Sequence, residues 1–274
     1  MDGYEVESAP FYISPDGLIL LFGGVSKERQ GLPVVIRQHL FPLQFDSTNL
    51  SIYQSLNAVL TQAKTQHPFY RDALDVLFDF SDSQCIISYV LDGRDLDPTR
   101  RSAYTEVEIQ TFLPPTVDSN KSVQTGDIAR DYNLAEIPFH NNIGTNVSLY
   151  MGRNKTSDIV VKAHEFNLVT EADANKRIAQ ALSTALVQAR VQHSHTCDIL
   201  EVNLRFVKAG ANGRLCCVYH VLEVLESDIY KDIQQRKTSK SPYSEAELRD
   251  FLIQTSEALV YVHSKGRRRG VSSA

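Results

Sequence analysis

The residue types able to do chemistry are few in this chain and mostly stand alone. His39 and His164 each follow a β-branched run, Val34-Val-Ile-Arg37 and Ile159-Val-Val-Lys162, and an imidazole there could act as a general base. No carboxylate is spaced to orient either ring, so a shared structural position is the better reading. His193 and His195 lie close to Cys197 and have metal-ligand chemistry, but the two-residue spacing reads as a polar loop. Cys85, Cys197, Cys216 and Cys217 contain no Cys-x-x-Cys, which indicates neither a zinc knuckle nor a disulfide framework. Reduced, mainly buried thiols are expected. Asn146-Val-Ser148 and Asn154-Lys-Thr156 are glycosylation sequons, silent in a cytosolic chain, and Lys265 with Arg267 to Arg269 reads as a solvated basic tail. No catalytic residue and no metal ligand is assigned.

Bulk properties narrow the partners. The 274 residues carry 28 basic and 33 acidic side chains, a net charge of -5 that supplies no global field for nucleic acid or an anionic membrane. A protein partner or self-association is expected instead. The apolar run Leu18 to Phe22 is too short to span a bilayer, and the acidic segment Met1 to Ser8 is the wrong flank for a secretory signal, so a cytoplasmic protein is expected. With 42% hydrophobic residues, a chain of this length can fill one large core or two ordinary ones.

The elements that position these residues occur twice. Gln54 to His67 (QSLNAVLTQAKTQH) and Gln180 to His193 (QALSTALVQARVQH) agree at seven of fourteen positions at an offset of 126. Asp72 to Phe80 maps onto Asp198 to Phe206 at the same offset. Arg37, His39, Phe41 and Leu43 fall on Lys162, His164, Phe166 and Leu168 at 125, and Tyr104 to Leu113 matches Tyr243 to Leu252 at 139. Each change of offset falls where a loop can change length.

Within each copy, Leu56, Val59, Leu60 and Ala63, or Leu182, Ala185, Leu186 and Ala189, recur at helical spacing and give one apolar face. The β-branched and alternating runs on either side predict a hairpin and third strand before the helix and a further hairpin after it. A small antiparallel sheet crossed by one helix is the economical packing, so the fold class is α+β with two such units. Thr105 with Glu108 and Ser244 with Glu247 form capping boxes that start further helices; Pro114-Pro115 stops the first of these. The expected organisation is a first unit over 1–113, a polar linker over 114–134, a second unit over 135–266 and a tail over 267–274.

These residues resemble the protein-kinase N-terminal lobe. Asp158-Ile-Val-Val-Lys162-Ala163 is similar to the third-strand Val-Ala-Ile-Lys motif, and His193 to Val202 resembles the segment after helix C. Leu222-Glu223 looks like gatekeeper and hinge, Ser227-Asp228-Ile229 like the residues after the hinge, and Phe251 to Gly266 like helix E. The first copy repeats the outline with Arg37, His67-Pro68, Leu91-Asp92 and Gly93-Arg-Asp-Leu96. The resemblance implies a nucleotide face made by Lys162, Gly144, Val147, Leu222, Glu223 and Leu225, with Lys162 on the phosphates.

The departures from the family pattern weaken what that face can do. A kinase needs a glycine loop, a lysine held by a helix-C glutamate, a catalytic aspartate and a metal-holding aspartate. Each copy keeps one glycine where the loop would lie, Gly17 or Gly144. The glutamate positions hold Ala58 and Thr184, and the first copy has Arg37 in place of lysine. The match ends at Gly266, before any His-Arg-Asp or Asp-Phe-Gly. The resemblance therefore implies a pseudokinase-like regulatory or binding module of the serine/threonine type, binding ATP weakly at most and without Mg²⁺. The alternatives are a truncated piece of an active ATP-dependent kinase, and a tandem interaction scaffold that takes no nucleotide. The helix from Ser244 onward needs a cover for its apolar stripe, from the first unit or by self-association.

Overall fold

A computed structural model describes residues 3–29, 31–46, 49–65, 71–81, 83–94, 105–113, 127–154, 157–210, 213–224 and 229–267, with side chains through 264. The readings attached to His67-Pro68, Asp95-Leu96, residues 114–126, Leu225, Ser227-Asp228 and the residues from 268 onward lie outside the described residues.

The fold is α+β with two antiparallel sheets. The first sheet contains β1 (Tyr4–Val6), β2 (Tyr12–Ile13), β3 (Ile19–Ser26), β4 (Leu32–Pro42), β5 (Ala73–Phe80) and β6 (Gln84–Asp92). Helix α1 (Leu50–Thr65) lies between β4 and β5, and α2 (Glu106–Phe112) follows β6. After α3 (Ile128–Asp131), the second sheet contains β7 (His140–Asn142), β8 (Val147–Arg153), β9 (Asp158–Asn167), β10 (Ile199–Ala209) and β11 (Gly213–Glu223). Helix α4 (Ala174–Arg190) lies between β9 and β10, and α5 (Ile229–Ser239) and α6 (Glu245–Arg267) follow. No helix among the described residues is long and apolar enough to cross a membrane.

The two sheets run the same path. Their spatial orders are β1-β3-β4-β6-β5, with β2 beside β3, and β7-β8-β9-β11-β10. In each, the helix intervenes between the third strand and the edge strand, and the last strand inserts between those two. Alternation along β4 puts Val34 and Ile36 on an outer face with Val90, and Val35 and Phe41 on the face toward α1. In β9, Ile159 and Val161 likewise face outward with Val221. Residues 127–131 and Tyr132 fell within the segment expected to be linker, yet they pack on that outer face. Asp127 caps α3 by accepting from the Ala129 N–H at 3.1 Å, and Ile128 and Tyr132 are buried. Two apolar side chains in a polar stretch are too few to stand out by composition.

The helices do more than cover their own sheets. Ile52, Leu56, Val59, Leu60 and Ala63 of α1 are buried, and so are Ile178, Leu182, Ala185, Leu186 and Ala189 of α4, the same five positions shifted by 126. All ten belong to one core drawing on both sheets. The polar contacts across it are reciprocal as well. Asn57 of α1 donates through Nδ2 to the Val202 carbonyl of β10 at 2.7 Å, and its Oδ1 accepts the Val202 N–H at 3.0 Å. Ser183 of α4 accepts the Val76 N–H of β5 at 3.1 Å and donates to Asp75 at 2.7 Å. Asn57 and Ser183 correspond at offset 126, as do Val76 and Val202. Contact of i with j and of i′ with j′ is the pattern of a two-fold isologous interface, here formed inside one chain.

Removing the amide of Asn57 would leave a buried strand N–H and carbonyl without partners, which costs about 1–3 kcal/mol. Asn57→Ala should therefore lower unfolding stability by that amount in urea. Ser183→Ala should cost less, because the Val76 N–H also bonds the Asp75 carboxylate at 2.8 Å. Because the core is shared, both variants and the parent should unfold in one transition seen alike by far-UV circular dichroism and tyrosine fluorescence.

Candidate functional site

Each sheet presents to its helix a polar row built from the third strand and the inserted last strand. In the first sheet Arg37 and His39 of β4 lie on the α1 side, and Tyr89 of β6 is the register partner of Arg37. In the second sheet Lys162 and His164 of β9 take those places, and His220 of β11 is the partner of Lys162. His220 therefore corresponds to Tyr89. The rows are alike in position and differ in how they are satisfied.

The first row is closed. Arg37 is 0% exposed, and its Nη1 donates to the Phe112 carbonyl at the end of α2 at 2.6 Å. Its guanidinium lies 4.9 Å from the Tyr89 ring centroid. Burial lowers its pKa to about 10, which still leaves it charged at neutral pH. Ser55 of α1 bridges the rest of the row, its Oγ 3.1 Å from both His39 Nδ1 and the Tyr89 hydroxyl. Burial, then the nearby Arg37, holds His39 well below the usual imidazole range. Phe112 is itself fully buried, edge-on to Phe11 at 6.4 Å. α2 thus covers the first row at Arg37.

The second row is open. Lys162 is partly exposed, and no hydrogen bond or ion pair engages it among the described residues. Thr184 is exposed and donates to Gln180 O of its own helix at 2.8 Å, so it offers the lysine no carboxylate. His164 is pushed down to about 4 by burial, Lys162 and Arg177, and His220 to about 3 by burial, His164 and Lys162. Their rings are 5.1 Å apart.

The sequence-expected nucleotide face is only partly assembled. Val147 pairs with His164 and Leu222 with Val160, so both share the face of Lys162. Leu149, which the sequence reading did not single out, lies directly beside the lysine in register. Gly144 sits in the exposed turn after β7 and does not use the left-handed backbone region, so the turn makes no glycine-dependent cradle. Glu223 pairs with Ile159, on the outer face, and its carboxylate accepts the Asp198 N–H at 2.8 Å. It ties β11 to the start of β10 instead of facing the lysine. Leu225 is outside the described residues.

Other candidates resolve into structure. His193 stacks 5.1 Å from Tyr261, and His195 Nε2 lies 3.6 Å from Glu257, so these rings fasten α6 to the loop after α4. No cluster of three or more metal-ligating side chains exists among the described residues. All four cysteines are free, and burial raises the pKa of each thiol. His220 and the plug formed by Phe112 were missed from sequence. Alternation along Cys216, Val218, His220 and Leu222 could have placed that histidine beside Lys162. Comparison with protein-family models, with curated proteins and with solved structures finds no match for this chain.

Because burial depresses the pKa of His39 and His220, both fold in the neutral form. Their contribution is full above the unfolded value near 6.5 and is lost as pH falls toward the folded values. Between about pH 7 and pH 5 the His220 ring should cost roughly 2 kcal/mol of unfolding stability, at about 1.4 per unit below 6.5, and His39 adds to the loss in the same direction. Urea unfolding at the two pH values measures this, and His220→Phe should remove about 2 kcal/mol of the loss.

Proposed function

We propose that this chain is a non-catalytic, protein-kinase-like regulatory or binding module in which the first unit is a closed structural partner and the second presents a weak nucleotide face. The observation that carries the reading is the contrast at corresponding positions: Arg37 is sealed beneath α2, whereas Lys162 is partly exposed and free of acids. Further support comes from the two sheets, each with a helix between its third and fourth strands, the place where the resemblance puts helix C. Val147, Leu149 and Leu222 give apolar contact on the lysine's face, suited to a base or ribose.

Catalysis is not part of this reading. Transfer of a phosphoryl group rests on positioned metal and carboxylates that stabilise the moving charge. The helix position facing a kinase lysine holds Thr184, which brings the lysine no carboxylate. ATP would bind through Lys162 with little help, so affinity should be low.

Thermal unfolding with ATP, with and without Mg²⁺, tests the reading. Ligand at several times its Kd should raise Tm by about 2–4 °C, equivalent to roughly 1 kcal/mol, equally with or without the metal. Lys162→Met should abolish the shift, and Arg37→Met should not. Absence of any shift in the parent protein would remove nucleotide binding.

A second reading, a tandem interaction scaffold, is favoured by the surface of α6. Leu248, Phe251, Leu252, Leu259 and Val260 are between 48 and 69% exposed there. Sedimentation velocity should show mass rising with concentration, and Phe251→Asp with Leu252→Asp should hold the chain monomeric.

A further inference from the structure

The polar rows of the two sheets amount to an internal control, because the same three positions meet partners from α1 and α2 in one and lack those partners in the other. Arg37 Nε and Nη2 and His39 Nε2 in the first row are, like the imidazoles of the second, buried without a hydrogen bond. Arg37, His39 and Tyr89 meet the Phe112 carbonyl and the Ser55 hydroxyl. In the second sheet the residue corresponding to Ser55 is Ala181, which has no hydroxyl, and the counterpart of Phe112 is Phe251, 50% exposed on α6. Both internal partners are therefore missing from the second row. What is left is a lysine paired in register with His220, and two imidazoles with ring centroids 5.1 Å apart across adjacent strands. Nε2 of His164 and Nε2 of His220 are each buried with no hydrogen-bond partner, and His220 is 2% exposed. One N–H of His220 is held by the Ala181 carbonyl, which leaves the other ring nitrogen as a bare acceptor.

The charges that bear on the two rings are positive. Lys162 of β9 and Arg177 of α4 bear on His164, and His164 and Lys162 bear on His220. Arg177 is itself engaged by Glu171 at 2.5 Å and lies over the Phe166 ring. From β8 the facing residues are the apolar Val147 and Leu149. A buried donor set beside an unpaired lysine, with the nearby Glu171 carboxylate taken by Arg177, is complementary to an oxyanion and hostile to a metal cation.

We infer that Lys162 and His164, backed by His220, form a metal-independent site for a phosphate-type dianion, and that binding takes up a proton on His164. The inference rests on the reading of the second unit as the open one and names the ligand chemistry of its face. Lys162 supplies fixed charge. His164 supplies an N–H to the anion, and the bare nitrogen of His220 can accept its other N–H once the ring is charged. In the free protein burial first, and then Lys162 and Arg177, keep His164 neutral; an arriving dianion offsets the cations' share and raises the ring's basicity, and the proton gained tightens binding. Affinity should then grow as pH falls, down to the value near 4 at which the free ring protonates. The phosphate could belong to a nucleotide or be free in solution.

Sulfate is the first probe, because it remains a dianion across the range and isolates the protein's own proton. Calorimetric titration should show sulfate binding tightening roughly tenfold between about pH 7.5 and pH 5.5, the gain set by one proton taken up by a ring raised to about 6.5. Nitrogen NMR of the unmutated protein should show the His164 imidazole moving to the imidazolium form as sulfate is added at the lower pH. His164→Gln, checked for an unchanged melting profile, should keep weak binding and lose the pH slope, and Lys162→Met should lose binding. ATP in excess EDTA is the second probe; binding with the same slope and the same His164 shift assigns the phosphate to a nucleotide. Sulfate binding with the slope but no ATP binding supports the anion site and removes the nucleotide reading. ATP binding with neither slope nor His164 shift overturns the proton-linked site and leaves the nucleotide reading standing. No response to either probe overturns both.

Discussion

Each sheet ends in a bulged edge strand, and a helix side chain from the other sheet bonds the backbone just past the bulge. Register slips between Ala73 and Asp75 in β5 and between Ile199 and Glu201 in β10, at corresponding residues. An open edge with a bulge leaves N–H and carbonyl groups that water must satisfy or another chain will. Asn57 and Ser183 satisfy them from across the core, and Lys64 adds a bond to the Leu200 carbonyl at the bulge itself. The apolar faces of α1 and α4 then have only one place to go, against each other and against the opposite edge strand. Leu56 and Leu60 meet Leu182 and Leu186 around a small void that Val76 and Val202 also line. Neither unit could keep its helix face dry without the other.

That shared constraint separates what the two copies keep from what they change. Four of the five buried helix pairs and the Val76–Val202 pair are identical, and only Val59 is reduced, to Ala185, because these residues share one close-packed core. The row behind the helices is free of that constraint and has diverged. A fully buried guanidinium with no carboxylate needs its desolvation offset by carbonyl and aromatic partners, and Arg37 has one of each. Lys162 needs no such cover, since water reaches it. The first unit is held closed by its own cation, and the second is left open by the absence of one so deeply placed.

Much of this architecture was legible in the sequence because it depends on spacing. The offset of 126 placed both helices and both edge strands, and the two capping boxes form as their residue types require. The broken first strand, split into β1 and β2, carries too few residues to show a period. What spacing cannot convey is which surface a face will meet. α1 and α4 read as helices seeking a sheet, and only the bonds from Asn57 and Ser183 reveal that each reaches the other unit's sheet as well. The candidate face was half legible for the same reason. Lys162, Val147 and Leu222 share a side because alternation dictates it. Glu223, one residue beyond Leu222, must by the same alternation point the other way, and it does.

The difference between the units comes down to where one helix stops. α2 and α6 begin alike, with a hydroxyl-and-glutamate box and a phenylalanine seven residues after the capping hydroxyl, Phe112 or Phe251. In the first copy Leu113-Pro114-Pro115 follows, so the helix ends at Phe112 and its terminal carbonyls have no N–H from a next turn. Those carbonyls carry the negative end of the helix dipole and are suited to a buried cation, and Arg37 takes the last of them. In the second copy Leu252-Ile-Gln-Thr continues the helix to Arg267, and Phe251 lies within it, where carbonyls are bonded to the N–H four residues on. α6 therefore has no carbonyl at that position to offer Lys162. A helix lacking a free end cannot serve as the same plug, and the open row of the second unit follows from two prolines that it does not have.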